Sequence, residues 1–448
     1  MERLRIHIGL DDTDSPRAGC TTYVALNLCR RLVDIGVVFA EVPRLVRLNP
    51  NIPWKTRGNG AVALTVEVEP GDLDRVVDVV DGALREFSDV EHGKSAPTAV
   101  LIPDPVPEDV KWLYRRALYT VVPLSVVERI LSRVPIRVVS VKRGKLRGLI
   151  GALAAVGAYD MEDFTYEFLV YRSPENWGLE RKVVFESVLE FDEVTKFLTF
   201  NNVDEEGERV LITPHGPDPV LYGVRGEDPL VLIHSLKYIR VEEEVYGWCL
   251  FRTNQGTDAH LCNLTTSVHP YDSITVRGVV IDVPRVLPGS HVILKVAVDG
   301  RVVECSVYRE TGILRSMALK LRPGDVVYVM GGVRPLPGGK LTLNVEKIIV
   351  EKSTPRVVEG NVPCPRCGKT MTSLGARGGV KCRRCGFRIS SIKIKSLNYV
   401  GDEVCGTWVA SKRAHRHLTK PLERSGLEHP WIHHCPVVKW FCILDKVY

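Results

Sequence analysis

The sequence lacks any long hydrophobic run. Its longest near-apolar stretch, Leu149 to Tyr159, is too short to cross a bilayer as a helix. The sequence also opens without the basic segment, apolar stretch and cleavage site of an export signal. We therefore expect a cytoplasmic protein without a membrane partner.

A strong excess of charge of either sign is also absent. The formal net charge is +6 over 448 residues, with 45% hydrophobic and 25% charged residues. These proportions are typical of a globular protein, and the length predicts three or four domains. The net charge alone does not indicate a nucleic-acid partner, but Lys and Arg concentrate beyond residue 365.

The sequence contains no Walker A motif, so any nucleotide must be bound by another design. An acidic loop near the start of the chain is the candidate. Alternating apolar residues from Leu4 to Leu10 predict a strand, and apolar residues at helical spacing from Val24 to Leu32 predict a helix. The strand ends in three carboxylates within four positions, Asp11, Asp12 and Asp14.

Crowded carboxylates repel one another unless a cation neutralises them, and hard oxygen ligands suit Mg²⁺ that holds substrate phosphates. Gly19 would let a ligand approach the backbone, and the N–H groups of Thr21 and Thr22 open the predicted helix. The start of a helix attracts anions, so a metal and a phosphate can meet here. The alternative is a surface turn with Thr21 or Thr22 as the N-cap.

Two basic segments are candidates for binding phosphates. The loop 54–60 carries Lys55 and Arg57 beside two glycines, and such a loop either wraps a phosphate or forms a simple turn. A basic run ending at Arg147 precedes a helix of small residues, 148–157, and suits either a triphosphate or a solvated turn.

Two cysteine pairs form the most specific motif in the chain. Cys364-x-x-Cys367 and Cys382-x-x-Cys385 are each followed by glycine and lie fourteen residues apart. Thiolates at this spacing can face one tetrahedral Zn²⁺ ion, whereas the alternative is buried cysteines without a metal. Four protein ligands leave no position for water, so this zinc would be structural. The many basic residues nearby indicate a nucleic-acid interface.

Residues 273–351 have the pattern of an OB-fold barrel. Five strand-like runs are interrupted by a helix-compatible segment, 312–320, between the third and the fourth run. Three strands, a helix and two strands is the order of an OB-fold, which often binds nucleic acids. The runs are 274–282, 291–298, 301–308, 325–332 and 341–350.

The segment 160–245 shows only an α+β pattern. Strands are predicted at 164–171, 182–189 and 210–213, and a helix at 229–240. The stiff loop Pro214-His215-Gly216-Pro217-Asp218-Pro219 either presents Asp218 to a ligand or is a rigid turn that Asp218 caps. Asp160 and Asp163 are candidate partners for a guanidinium, or turn caps.

Residues 393–448 are basic and aromatic-rich. They include three cysteines and five histidines, but the spacing of these residues fits no metal motif. We interpret this segment as an RNA-contacting or docking tail.

Five segments resemble the archaeal tRNA-isoleucine 2-agmatinylcytidine synthetases, the TiaS family. The first segment, 9–23, contains Gly-Leu-Asp-Asp-Thr-Asp (9–14) and Gly-Cys-Thr-Thr-Tyr (19–23), and the other four are 49–60, 147–155, 214–226 and 251–261. The segments follow one another along most of the chain, which makes the resemblance specific.

The resemblance implies a multidomain α/β and α+β fold. The predicted parts are a kinase-like α/β domain at 1–120, with 140–157 as a candidate completing segment, a ferredoxin-like domain at 121–250, an OB-fold barrel at 251–352, a zinc ribbon at 353–392 and a basic C-terminal tail at 393–448.

The resemblance also implies an activity: ligation of agmatine to C2 of the wobble cytidine in the CAU anticodon of an isoleucine tRNA. ATP would be consumed through a phosphorylated cytidine, with release of AMP and pyrophosphate. By this resemblance Asp11, Asp12 and Asp14 would hold Mg²⁺ and phosphates, and Thr21 would accept a phosphoryl group. The candidate nucleotide contacts are Gly19, Thr22, Lys55, Arg57 and Arg147.

Two other functions fit parts of the sequence. A single-stranded nucleic-acid-binding protein would use the OB-fold and the zinc ribbon but leave about the first 260 residues without a role. A small-molecule kinase would use the acidic loop and leave the zinc ribbon unexplained.

Overall fold

The structure is a computed structural model of the chain. It describes residues 3–16, 18–91, 95–142, 146–204, 208–261, 268–375, 378–389, 395–400, 404–428 and 439–444. In this described part, no helix is long and apolar enough to cross a membrane.

Eight α-helices lie within these ranges. They are α1 Thr21–Asp34, α2 Leu73–Phe87, α3 Glu108–Ala117, α4 Leu124–Leu131, α5 Arg147–Gly157, α6 Phe185–Thr195, α7 Pro229–Tyr238 and α8 Ile313–Ala318.

The strands of the same ranges fall into three groups along the chain. The first group is β1 Leu4–Asp11, β2 Val38–Phe39, β3 Arg44–Arg47, β4 Gly60–Val68, β5 Thr98–Pro103, β6 Arg137–Ser140, β7 Thr165–Arg172, β8 Thr199–Phe200, β9 Val220–Gly226 and β10 Val245–Thr253. The second is β11 Ser273–Val280, β12 Arg285–Val286, β13 Val292–Val298, β14 Arg301–Val307, β15 Val326–Pro335 and β16 Leu341–Lys352. The third is β17 Arg356–Asn361, β18 Thr372–Ser373, β19 Val380–Lys381, β20 Arg388–Ile389, β21 Lys395–Val400, β22 Gly406–Val409 and β23 Phe441–Ile443.

The first ten strands form one continuous sheet in the order β6-β5-β1-β4-β3-β10-β7-β9-β8, with β2 added to β4 and β23 added to β10. The two halves of this sheet, β6 to β3 and β10 to β8, are connected by the parallel pair β3–β10, in which Arg44 lies opposite Arg252. The predicted kinase-like and ferredoxin-like parts therefore share a sheet. Both β6 and α5 pack on the N-terminal half of this sheet. The exact domain boundaries stay a prediction.

Helices cover both faces of this sheet because its strands alternate side chains between the faces. Ile6, Ile8 and Leu10 point into the apolar layer beneath α1 and α2. Gly9 points to the other face, where a Cβ atom would collide with the carbonyl group of Ala152 in α5. The small residues of α5 thus permit the close packing of this helix on the sheet.

The second group of strands closes a barrel, as predicted. Strands β11, β15, β16, β14 and β13 pair in turn, and β13 pairs back with β11. Each predicted run matches a strand to within three residues, and α8 lies between β14 and β15. The five-stranded barrel, with its helix between the third and fourth strands, confirms the OB-fold prediction.

Two strand predictions are wrong. Residues 182–189 mostly form the start of α6, and residues 210–213 make only an isolated bridge, between Val210 and Val203. The apolar residues of α6 that reach the core, Val188 and Phe191, follow helical spacing, which a short apolar run does not distinguish from a strand.

The zinc ribbon is inserted between β16 of the barrel and β22, an additional strand that pairs with β16. The chain leaves β16, forms the hairpins of the ribbon, and returns as β22, which pairs antiparallel with β16. Further on, β23 pairs with β10 of the first sheet. The described parts of the segment 393–448 are thus integrated into both sheets, because their apolar residues complete both cores.

Candidate active site

A cavity of about 850 Å³ lies between the N-terminal half of the molecule, the later strands of the first sheet and the returning C-terminal chain. Its walls come from the Asp loop (residues 11–22), the loop 47–60, helix α5, the loop 211–220 and the segment 412–418. Four of the five segments that carry the family resemblance meet here, although they lie far apart in the sequence.

Asp11 ends β1 and lines the cavity with Asp12 and Asp14. Burial raises the pKa of Asp11 well above its usual range, and the neighbouring carboxylates Asp12 and Asp14 raise it further. Burial likewise raises the pKa of Asp14 to about 6, although Arg57 opposes the shift. The protein groups around this loop therefore do not fully stabilise the ionised forms of Asp11 and Asp14.

Hard carboxylate oxygens that are short of positive charge fit Mg²⁺. In the described part of the chain, however, only four cysteines form a group of three or more ligating side chains close enough to share one ion. The Asp loop is thus not a complete protein cage. Magnesium is commonly held by one or two carboxylates together with substrate phosphates and water, which is the arrangement this loop permits.

Asp12 is fixed by contacts from two directions. Its Oδ2 accepts a hydrogen bond from the backbone N–H of Ala96 at 3.0 Å, and its Oδ1 lies 3.3 Å from Nη2 of Arg147. Arg147 is the first residue of α5 and is partly exposed at the cavity. The structure therefore brings the predicted Arg147 beside the predicted acidic loop.

Arg57 joins the Asp loop to the opposite wall. Its guanidinium donates to the carbonyl oxygens of Ser15, Ala18 and Gly19, the last at 2.6 Å. It also lies 3.4 Å from Oδ2 of Asp14 and 3.3 Å from Oδ2 of Asp218. Because the group faces five protein oxygens, its evident role is to position the two loops, and a direct phosphate contact stays a prediction.

Asp218 is positioned by Arg181, which sequence analysis missed. The Arg181 guanidinium donates to the carbonyl oxygens of Val220, Pro214 and Gly216, at 2.7 to 2.9 Å. Its Nη2 also lies 3.3 Å from Oδ1 of Asp218. No local motif marks Arg181, because its partners are more than thirty residues away.

Thr21 is the first residue of α1, and the N-cap is Cys20, so the N-cap alternative for Thr21 or Thr22 is wrong. Cys20 makes no side-chain cap hydrogen bond. The buried hydroxyl of Thr21 accepts a hydrogen bond from Thr13 Oγ1 at 3.0 Å, and Thr22 Oγ1 lies 3.0 Å from Cys20 Sγ. Both threonines line the cavity at the start of the helix.

Gly19 and Lys55 shape the same region. Gly19 has φ +82°, and a Cβ atom there would lie 2.8 Å from the carbonyl oxygen of Thr13, so only glycine fits. Lys55 Nζ donates to the carbonyl oxygen of Arg57 at 2.7 Å and lines the cavity. Burial, with the nearby Arg416, lowers the pKa of Lys55.

The far wall carries a cluster that sequence analysis also missed. Glu167 is buried between Arg225, whose Nε is 2.8 Å away, and Arg47, whose Nη2 is 3.6 Å away. Burial alone would raise the pKa of Glu167, but the two guanidinium groups lower it. His417, from the C-terminal segment, lies beside this cluster.

The C-terminal segment is held on both sides of the cavity. Arg416 Nε lies 2.8 Å from Oε1 of Glu346 in the barrel. Arg424 is buried against Asp163, with Nη2 and Oδ1 2.9 Å apart, which confirms a guanidinium partner for that carboxylate. Asp160 pairs with Lys111 instead.

His433, His434, Cys435 and Trp431, which belong to the predicted RNA-contacting tail, lie outside the described residues.

The four ribbon cysteines form one compact group. Their sulfur atoms all lie within 4.8 Å of one another, with Cys364 to Cys385 and Cys367 to Cys382 each at 3.4 Å. Each pair bends through a positive-φ glycine, Gly368 or Gly386, whose N–H donates to the backbone carbonyl oxygen of the first cysteine of the pair. Four thiols in this arrangement fit a tetrahedral Zn²⁺ ion. Arg366, Lys369, Arg383, Arg384 and Arg388 are exposed around them.

Family models match three parts of the chain. The TiaS TCKD domain matches residues 7–143, the TiaS FLD domain matches 147–260, and the TiaS C-terminal zinc ribbon domain matches 361–397.

Individual relatives match nearly the whole chain. The isoleucine-tRNA 2-agmatinylcytidine synthetase TiaS of Thermofilum pendens is 43% identical over 428 residues, covering 94% of this chain and 95% of the relative. A crystal structure of TiaS with its isoleucine tRNA and ATP has a TM-score of 0.78 at 36% identity, covering 94% of this chain and 97% of the other. A complex of TiaS with the same tRNA, AMPCPP and agmatine has a TM-score of 0.77 at 34% identity, covering 96% and 100%. The chain therefore belongs to the TiaS family, the isoleucine-tRNA 2-agmatinylcytidine synthetases.

Proposed function

We propose that this chain uses ATP to join agmatine to C2 of the wobble cytidine in an isoleucine tRNA with a CAU anticodon. The observation that carries the proposal is the cavity at which the Asp loop, the start of α1, Arg147 and Asp218 converge. In two solved TiaS complexes the protein binds its isoleucine tRNA with ATP, or with AMPCPP and agmatine.

The chemistry must activate a poor leaving group, because the C2 oxygen of cytidine does not depart unaided. In the proposed path that oxygen attacks the γ-phosphorus of ATP and takes the phosphoryl group, while the bond from the γ-phosphorus to the bridging oxygen breaks and ADP leaves. The primary amine of agmatine then attacks C2 and loses a proton. The C–N bond forms, the C2–O bond breaks, and orthophosphate leaves with the cytidine oxygen.

The Asp loop and α1 supply the groups for phosphoryl transfer. Asp11, Asp12 and Asp14 would hold Mg²⁺, which supplies charge neutralisation for the phosphates when bound. Thr21 and Thr22 line the cavity at the start of α1, which is the positive end of the helix dipole. Arg147 and Lys55 add two cations beside them. Thr21 presents its hydroxyl at the same point, which supports its assignment as a phosphoryl acceptor.

The zinc ribbon and the barrel supply tRNA binding. Cys364, Cys367, Cys382 and Cys385 would bind one structural Zn²⁺ ion, and the exposed arginines around them would contact phosphates of the tRNA. The wobble base must leave the anticodon stack to reach the cavity. We place the reaction in the cytoplasm, where its tRNA substrate is available.

Labelled ATP tests both the activity and the path. With agmatine and the CAU tRNA, a phosphorylated cytidine predicts γ-label in orthophosphate and α-label in ADP, which becomes AMP only when its β-phosphate is hydrolysed in a further step. The resemblance implies release of AMP with intact pyrophosphate instead. That outcome requires transfer of the adenylyl group of ATP, so the C2 oxygen of cytidine would carry AMP in place of a phosphoryl group. Absence of agmatine-dependent label release, with tRNA still bound, would favour the nucleic-acid-binding alternative.

A further inference from the structure

We propose that His417 and Arg47 read the edge of the cytosine base, with His417 accepting from the exocyclic amine N4 and Arg47 donating to N3. The inference rests on the proposed function, because it names the groups by which that site selects its pyrimidine. Arg47 ends β3 and His417 lies in the C-terminal segment, so neither residue belongs to the acidic loop or to the basic loop 54–60.

The two side chains flank one point of the cavity wall. A Cβ atom on Gly58 would lie 2.7 Å from Nε2 of His417 and 2.8 Å from Nη1 of Arg47. Glycine therefore keeps both polar atoms unobstructed. Gly58 directly follows Arg57, which holds the Asp loop, so the pair lies next to the loop 54–60 that carries the predicted phosphate contacts. Because N3 is bonded to C2, a base whose C2 oxygen reaches the triphosphate carries N3 and N4 along the same edge, next to this wall.

A chain of hydrogen bonds fixes which nitrogen of His417 accepts. The ionised carboxylate of Glu167 can only accept, so the group of Gln255 that contacts it is the Nε2 amide. The Oε1 of Gln255 then lies 2.9 Å from Nδ1 of His417. An oxygen at this position requires a proton on Nδ1, which leaves Nε2 with its lone pair as an acceptor.

The surroundings keep His417 in this neutral state. Burial lowers its pKa well below the usual value, and the positive charges of Arg47, Arg225 and Lys55 lower it further. A histidine that resists protonation cannot turn its acceptor nitrogen into a donor. Because His417 stays an acceptor, it accepts well from an amine but repels a carbonyl oxygen.

This donor and acceptor pair matches cytosine and mismatches uracil. Cytosine offers an N4 amine that donates beside an N3 that accepts, whereas uracil offers an O4 that accepts beside an N3–H that donates. His417 and Arg47 complement the first edge and oppose the second. Enzymes that act on a flipped base commonly read this edge by hydrogen bonds.

A mutant cycle with an altered base tests the assignment. The substrate is tRNA with pyrimidin-2-one at the wobble position, which lacks only the N4 amine. Wild-type enzyme should lose about tenfold in kcat/KM with this base, the effect of one good hydrogen bond. In His417→Leu the loss of the N4 amine should change kcat/KM by less than twofold. His417→Gln keeps a hydrogen-bond acceptor and should restore part of the dependence of kcat/KM on the amine.

His415→Leu is the matched control, because His415 uses its Nε2 to bond the carbonyl oxygen of Ala410 at 2.7 Å. It should keep the wild-type dependence on the amine. A full tenfold dependence in a folded His417→Leu variant would overturn the assignment, as would a wild type indifferent to the amine. Both outcomes leave agmatine ligation intact, whereas a wild type that ligates no agmatine to cytidine overturns the proposed function itself.

Discussion

The carboxylate of Asp11 rests directly against the backbone of Gly151, so that a Cβ atom at residue 151 would overlap Oδ2 of Asp11. The two residues come from β1 and α5 and are 140 positions apart. A helix rich in small residues is thus required not only for packing but also to leave room for an acidic group of the candidate metal site.

Gly151→Ala should therefore abolish ATP cleavage while leaving tRNA affinity within a few-fold, as should Asp12→Asn. The added methyl group displaces the Asp11 carboxylate from the loop. Gly82→Ala in α2 is the matched control, since its Cβ would have only Arg31 within 4 Å, at 3.5 Å, and it should keep full turnover. ATP cleavage and tRNA binding are measured for each variant. Full turnover in Gly151→Ala at saturating Mg²⁺ would contradict the metal assignment.

Local chemistry explains which parts of this site were predictable. The Asp loop and the ribbon cysteines each lie within short segments, so the sequence shows which side chains come together there, and for the cysteines their spacing also indicates the metal. The strands of the barrel were predictable because their alternation is regular. Arg181 and His417, in contrast, act through partners that only the fold brings near, and an arginine or histidine within a basic segment has no pattern that marks it.

Arg181→Gln should reduce agmatine transfer by about ten- to a hundredfold. Its loss frees the loop that presents Asp218, and with it the ion pair between Asp218 and Arg57. The neighbouring exposed Lys182→Gln removes the same charge without touching the loop and should stay near wild type. Steady-state kinetics with varied agmatine and ATP, together with melting temperatures, distinguish lost positioning from lost folding. Equal rates for the two variants would rule out the positioning role.

Cys367→Ser should lose about one zinc ion per chain and weaken tRNA binding. Removing one of four thiolates breaks the tetrahedral site, and the ribbon that carries the exposed arginines loses its folded shape. Zinc content by metal analysis and tRNA affinity across a salt series check this. The variant should show a shallower salt dependence than wild type, because fewer phosphates are contacted. Unchanged affinity at every salt concentration would exclude the ribbon from tRNA binding.

His7 should make the stability of the protein depend on pH. Burial and then Arg44 lower the pKa of His7 to about 4, against about 6.5 unfolded. The unfolded chain thus binds the proton first, so stability is complete above pH 6.5 and falls as the pH drops toward 4. By pH 5 the loss from this group is about 2 kcal/mol. Urea unfolding of His7→Gln should lack this component, and parallel pH profiles for both proteins would disprove it.

Thr21 is the candidate phosphoryl acceptor. Two substitutions distinguish the role of its hydroxyl from the contribution of the residue to the start of α1. Thr21→Val removes the hydroxyl and leaves the Thr13 donor without its acceptor, at a cost of about 1–3 kcal/mol of stability. Thr21→Ser keeps both functions. We expect protein-bound label from γ-labelled ATP in Thr21→Ser but not in Thr21→Val, with melting temperatures confirming that both variants fold.

Thr22→Val is the control for this last experiment, because Thr22 starts the same helix turn but contacts Cys20 instead of Thr13. It should retain the label if the acceptor is specific to residue 21. Agmatine transfer should fall in Thr21→Val only if the phosphoryl group passes through the protein on its way to cytidine. Label that persists in Thr21→Val but disappears in Thr22→Val would move the acceptor by one residue, which the shared position of both hydroxyls at the cavity permits.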